Sequence, residues 1–168
     1  MFHACSTPQL PQVAFDESTG KCVGYVLSKM ADPEDDPDYE PHGHITSLSV
    51  LREYRKLGIA TKLMRAAHDQ MEKVYEAKYC SLHVRKTNRG AFGLYNDVLK
   101  YEINSVTPAY YADGEDAYDM RYYFNDKDRD NFRIRRDKRL AKEAKEAEES
   151  KAGLAQKEAE AEKHRSAA

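Results

Sequence analysis

Apolar and polar positions alternate along the chain in blocks whose period changes from two to about three and a half and back. Val13 to Phe15, then Asp16-Glu17-Ser18-Thr19-Gly20, then Cys22 to Met30 predicts strand, turn, strand, with Gly20 where a left-handed residue is wanted. Residues 31 to 41, rich in proline and acidic side chains, predict a solvated loop. The run Ile45, Thr46, Leu48, Val50 then predicts a strand from His44 to Val50. A short basic bend follows, and Ile59, Leu63, Ala66, Ala67, Met71 and Val74 fall on one face of a helix. Tyr79 to Val84 predicts a second buried strand. Thr87-Asn88-Arg89 opens a further helix carrying Ala91, Phe92, Leu94, Tyr95 and Val98, with Thr87 or Asn88 as its N-cap. Strands over Tyr101 to Val106 and Tyr118 to Tyr123 bracket a loop that holds Tyr110 and Tyr111.

Strand, helix, strand, helix in succession implies a right-handed crossover, so the strands His44 to Val50 and Tyr79 to Val84 are expected to be parallel neighbours. The fold class is therefore α/β (α+β): a mixed central sheet with helices on its faces. Both of these strands end at helix starts, which is where open α/β sheets hold their ligands. At 168 residues with 40% apolar content, the chain can bury one modest core. One domain is expected over residues 1–124. Residues 125–168 are a Lys, Arg, Glu and Ala-rich tail, a charged helix or disordered, with no coiled-coil seam. Its cluster Arg133, Arg135, Arg136, Lys138 and Arg139 reads as a solvated helix face, with partner docking or ribosomal RNA contact as the other reading.

Charge and cysteine content narrow the setting. A formal charge of −2 argues against bulk nucleic-acid binding. Cys5, Cys22 and Cys80 are odd in number and lack C-x-x-C spacing, which fits a reduced, intracellular compartment. No run of about 18 apolar residues and no signal-peptide core is present, so neither a membrane nor secretion is expected.

The candidate chemistry starts in the bend Arg55-Lys56-Leu57-Gly58-Ile59-Ala60. A glycine at a helix start lets backbone N–H groups approach an anion, and the helix dipole with two cations suits a diphosphate. Neither G-x-x-x-x-G-K-[ST] nor a strand-linked G-x-G-x-x-G occurs, which removes P-loop and dinucleotide readings. The remaining pattern, R-x-x-G-x-A between strand and helix, resembles the pyrophosphate loop of the GNAT acetyltransferases, which bind acetyl-CoA there. Taken alone, a basic helix start with a glycine would read nearly as well.

Three runs make the resemblance specific: HGHITSLSVLREYRKLGIATKLM (42 to 64), AKYCSLHVRKTNRGAFGLYNDVLKY (77 to 101) and PAYYADGEDAYDM (108 to 120). Together they resemble the catalytic subunits of the NatA N-terminal acetyltransferases, over about Pro8 to Tyr122. The resemblance implies a GNAT fold with two splayed parallel strands. It implies transfer of the acetyl group of acetyl-CoA to the α-amino group of nascent chains that begin with Ser, Ala, Thr, Gly, Val or Cys after methionine removal. It also implies a helical-repeat auxiliary subunit, the ribosome reached through it, and a cytoplasmic location with a nuclear pool. Ser6-Thr7-Pro8-Gln9-Leu10 falls where the family already approaches its second strand. The first strand and two helices are thus expected to be missing, leaving an open sheet edge and exposed apolar surface. A catalytically weak or inactive acetyl-CoA-binding or scaffolding form is the alternative.

Acetyl transfer to an amine needs a cofactor seat, a polarised carbonyl, a base and a proton for the departing thiolate. The resemblance assigns the diphosphate to Arg55, Lys56, Gly58 and Ala60, the pantetheine arm to the backbone of Leu48 and Val50, and a further cofactor contact to Asn88. A backbone N–H at the end of the first parallel strand would face the oxyanion. Tyr95 corresponds to the tyrosine that donates a proton to the sulfur, or is simply an aromatic on a buried helix face. His44 and Arg85 match active-site positions. His44 can act as a base, whereas Arg85, which does not deprotonate, must orient or polarise. His83 is the rival base, and His42 and His68 have no comparable context. Tyr110 and Tyr111 resemble the pair that binds the first residues of the peptide. No metal is expected, because His42 and His44 lack a third ligand at suitable spacing.

Overall fold

The computed structural model describes residues 10–32 and 40–166; Cys5 and most of the acidic loop lie outside them. Six strands form: β1 (Gln12–Phe15), whose burial alternates, β2 (Cys22–Met30), β3 (His42–Val50), β4 (Tyr79–Arg85), buried along most of its length, β5 (Glu102–Thr107) and β6 (Ala117–Tyr123). They form one sheet in the order β1-β2-β3-β4-β6-β5. As the crossover argument required, β3 and β4 are parallel, and every other pair is antiparallel. The last strand, β6, inserts between β4 and β5, an order that strand periodicity does not encode. Bulges interrupt the register at Val23 of β2, facing Ala14/Phe15 of β1, at Thr46 of β3, facing Leu27/Ser28 of β2, and at Asn104 of β5, facing Asp119/Met120 of β6.

Helix α1 (Ile59–Tyr75) packs on β1 through β4. Its buried residues are Leu63, Met64, Ala67, His68 and Met71. Ala66 and Val74 were expected on this face; both are exposed, because the stripe that meets the sheet is rotated toward Met64 and His68. Gly43 is required by close approach: a Cβ there would stand 2.2 Å from the Met71 sulfur. Helix α2 (Arg89–Gly93) is a single turn capped by Asn88, whose Oδ1 accepts the Ala91 N–H at 3.1 Å. It runs on into a π-helical turn over Leu94–Val98, closed by the Leu99 N–H donating to the Leu94 carbonyl at 3.0 Å. The expected continuous α-helix is therefore widened by one residue just where Tyr95 sits.

The opposite face of β1 and β2 has no helix on it among the described residues. Val13, Phe15 and Leu27 are exposed there. The chain divides into two units, residues 1–129 and 130–168. The second is wholly helical among its described residues, part of α3 (Asp126–Ser166). Within it, Arg133 pairs with Asp130, Arg139 with Glu143 and Lys142 with Glu146, with Ile134 and Leu140 exposed. Leu154 lies where side chains are not described. No helix among the described residues is long and apolar enough to cross a membrane.

His68 is a core residue rather than a surface one. Its Nε2 lies 2.7 Å from the Tyr101 hydroxyl and its ring stacks on Tyr122 at 4.9 Å. Burial pulls its pKa from 6.5 to about 4, so the unfolded chain takes up this proton first. The stabilisation is full above pH 6.5 and fades as the pH falls toward 4, by up to roughly 3 kcal/mol. Urea midpoints measured across this window should drop with acid, and His68→Phe should give a shallower slope despite its lower starting stability.

Candidate functional site

The site follows from where β3 and β4 stop pairing. Their parallel ladder runs from His42↔Tyr79 only to Ile45↔Leu82. Beyond it, β3 stays paired with β2 as far as Val50, and β4 stays paired with β6 as far as Arg85. The inner edges of Thr46–Val50 and His83–Arg85 diverge without a ladder between them, opening a cleft at the carboxyl ends of both strands.

The basic bend closes one end of this cleft. After a 3₁₀ turn over Arg52–Tyr54, Arg55 is extended and its Nε donates to the Val50 carbonyl at 3.0 Å. Lys56 (φ 64°) and Gly58 (φ 77°) are both left-handed, the kind of turn whose N–H groups can form a nest for anions. Gly58 caps α1 with no side-chain bond, so the first-turn N–H groups of α1 have no acceptor inside the helix. The Tyr54 hydroxyl donates to Asp16 Oδ2 at 2.8 Å and ties this bend to the β1–β2 turn.

A cavity of about 610 Å³ lies against these groups. Arg55, Lys56, Gly58 and Ala60 line one side, Leu48 and Val50 the β3 edge, and Asn88 and Tyr95 the far wall. A second cavity of about 250 Å³ shares Leu48, Asn88, Ala91 and Tyr95 with the first and continues to His83, Arg85 and Tyr111. All seven residues given to the cofactor thus border one space, and Tyr95 stands where the two spaces meet. Burial pushes the Tyr95 phenol up to about 12, so it keeps its proton at neutral pH.

On the other side the picture is mixed. Arg85 lines the second cavity, but its Nη1 is held by Asp113 at 2.7 Å and Glu115 at 2.6 Å, and its Cζ lies 3.9 Å from the centre of the Tyr111 ring. These carboxylates raise its pKa further and fix the charge. Tyr110 stacks on His83 at 4.2 Å with the rings 7° apart, and lines neither cavity. His44 lines neither cavity either. Its Nδ1 is 2.9 Å from Ser81 Oγ, and burial, then the nearby His83, bring its pKa down to about 4. His83 is on the wall itself; burial lowers its pKa, and its Nδ1 is buried without a hydrogen-bond partner.

Several residues escaped the sequence reading: Tyr54, Thr61 and Leu94 on the larger cavity, and Glu115, which lines neither cavity but holds Arg85 of the smaller one and Thr87. Thr61, in the first turn of the predicted helix, could have been read from position. Glu115 could not, since its partners lie 28 and 30 residues away. Among the described residues no cluster of His, Cys, Asp or Glu is arranged to hold a metal ion.

A mixed sheet that parts at one parallel pair, with an anion nest in the bend that follows, is the architecture of an acyltransferase fold. Residues 2–101 match the model of the acetyltransferase (GNAT) family, and the chain belongs to that family. It is 60% identical over 121 residues to the N-terminal acetyltransferase A complex catalytic subunit NAA10 of Arabidopsis thaliana, covering 72% of this chain and 60% of that one. It is 52% identical over 125 residues to the corresponding subunit, ard1, of Schizosaccharomyces pombe, covering 74% and 69%. The resemblance to NatA catalytic subunits therefore holds well beyond the three runs that first carried it. Among solved structures, Chaetomium thermophilum Naa20 in complex with a bisubstrate analogue superposes with a TM-score of 0.60 at 32% identity, over 66% of this chain and 64% of that one. The chain spans about 60% of the length of its Arabidopsis relative.

Nothing lies within 4 Å of a Cβ built on Gly58, so substitution there tests the dihedral alone. Gly58→Ala should lose about 1 kcal/mol, a thermal midpoint lower by roughly 3 °C in the ligand-free protein.

Proposed function

We propose that this chain transfers the acetyl group of acetyl-CoA to the α-amino group of protein N-termini, as the catalytic subunit of a NatA-type complex. The observation that carries the reading is the single cavity that joins an anion nest, a strand edge without a ladder partner and a buried phenol. This donor set suits a coenzyme A: Lys56, Arg55 and the N–H groups around Gly58 match a diphosphate, and the Leu48 and Val50 backbone matches an extended amide arm. When bound, acetyl-CoA supplies an acyl group activated as a thioester.

The chain's own residues do the rest. Tyr95 Oη stays protonated and is the hydrogen-bond donor on the wall common to both cavities. An α-amino group has a pKa near 8, so a weak base suffices. His83, on the cavity wall, is better placed to take that proton than His44, whose pKa of about 4 makes it a weak acceptor bonded to Ser81. Arg85 acts through the loop it grips, with Tyr111 beneath it facing the smaller cavity. The proposed substrates are nascent chains with small first residues. The proposed partners are a helical-repeat auxiliary subunit and, through it, the ribosome, in the cytoplasm with a nuclear pool.

Mass spectrometry of Ser-Glu and Asp-Glu peptides incubated with acetyl-CoA and the full chain, with and without a NatA auxiliary subunit, tests the reading. Acetylated α-amines are expected. Bound acetyl-CoA with no acetylated peptide in either arm would instead favour the inactive binding form. Tyr95→Phe should lower kcat by about a hundredfold while leaving the affinity for acetyl-CoA nearly unchanged.

A further inference from the structure

The loop between β5 and β6 carries Tyr111 to the cleft and Tyr110 onto His83, and one carboxylate near its end makes several contacts. Glu115 Oε1 accepts from the Thr87 backbone N–H at 3.0 Å and from the Thr87 hydroxyl at 2.6 Å. Its Oε2 accepts from Arg85 Nη1 at 2.6 Å. The Glu115 carbonyl accepts the Tyr111 N–H at 3.1 Å, which closes the turn beneath the tyrosine. Thr87 directly precedes Asn88, the α2 cap that borders both cavities. Arg85 in turn covers the Tyr111 ring at 3.9 Å. A single residue therefore touches the backbone of the tyrosine's turn, the cation on that tyrosine and the corner leading into α2.

We propose that Glu115 is a positioning residue for the peptide substrate, a clasp that fixes Tyr111 relative to the corner after β4. This rests on the acyl-transfer reading above. Asp113 also holds Arg85, at 2.7 Å, but its side chain is 58% exposed against 22% for Glu115, so solvent screens it more. Asp113 reaches neither Thr87 group; its Oδ1 accepts the Glu115 N–H at 3.2 Å and orders the clasp from behind. Aspartate at position 115, one methylene shorter, cannot span Thr87 and Arg85 together. Glutamine keeps the length but offers one acceptor oxygen and turns an N–H₂ toward the donors of either Thr87 or Arg85. The two changes thus separate reach from charge.

The test uses the full chain with Glu115→Gln and Glu115→Asp, and Glu17→Gln in the β1–β2 turn as control. Four quantities are read: peptide KM, kcat, acetyl-CoA affinity by calorimetry, and hydrogen exchange at the Tyr111 amide. Both Glu115 variants should raise peptide KM by about tenfold, the loss of a charge-assisted hydrogen bond. Amide exchange at Tyr111 should quicken, with kcat and acetyl-CoA affinity close to the wild type and to Glu17→Gln. Unchanged KM and exchange would overturn the clasp, as would kcat and acetyl-CoA affinity falling in proportion with KM. A wild-type chain that binds acetyl-CoA but acetylates no peptide sinks the acyl-transfer reading instead. Exchange at Tyr111 then decides the clasp by itself: faster in both variants supports it, unchanged refutes it.

Discussion

The parting of β3 from β4 after four parallel pairs is the constraint on which the rest of the molecule depends. Each strand is held on its outer side by an antiparallel neighbour, so neither can follow the other. The bulge at Thr46 falls one residue past the last parallel pair, and a bulge bends and twists the strand that carries it. The backbone groups left along Thr46–Val50 need partners of their own. Arg55 takes the Val50 carbonyl, which folds the basic bend back onto the strand and brings its nest to the mouth of the cleft. Fold and site thus have one origin: backbone polar groups that a regular sheet would have paired are left to face a cavity.

Much of this was legible in the order of residues. Six strands, the first two helices and the parallel pair followed from periodicity because each is a local pattern. The bulge was legible too, in retrospect: Ile45 and Leu48, both facing the α1 side through partners Ser28 and Val26, are three apart where an unbroken strand would space them by two or four. The insertion of β6 between β4 and β5 was not, because two antiparallel neighbours of equal apolarity compete for the same place. The stripe of α1 was misjudged at Ala66 and Val74 because the choice between adjacent helical faces is made by the sheet. His68 gives the same lesson, since only Tyr101, distant in sequence, makes a buried imidazole tolerable there.

The cofactor side of the cleft was far easier to read than the substrate side. Six of its seven residues come from one continuous stretch, Leu48 to Ala60, and Asn88 joins them from the start of α2. The substrate side is assembled from β4, the start of α2 and the β5–β6 loop, and its members act on one another. His44 is drawn to Ser81, Tyr110 to His83, and Arg85 to two carboxylates of the loop. The charge is also divided unevenly. The histidines near the cleft are pushed toward neutrality by burial, while the fixed charges sit at its rim in ion pairs.

Among the described residues the two outermost strands of the sheet are short, and β5 carries the extra residue of a bulge, Asn104, in its own backbone. A foreign strand arriving at the β5 border would meet amide and carbonyl groups in step for only two or three residues before the spacing fails, and one arriving at β1 would find four residues to pair with. The bulge in one border and the shortness of the other therefore work against stacking of one molecule on the next, even with Val13 and Phe15 open to water. Straightening β5 or lengthening β1, more than adding greasy side chains to either, is what would turn this protein toward fibrous self-association.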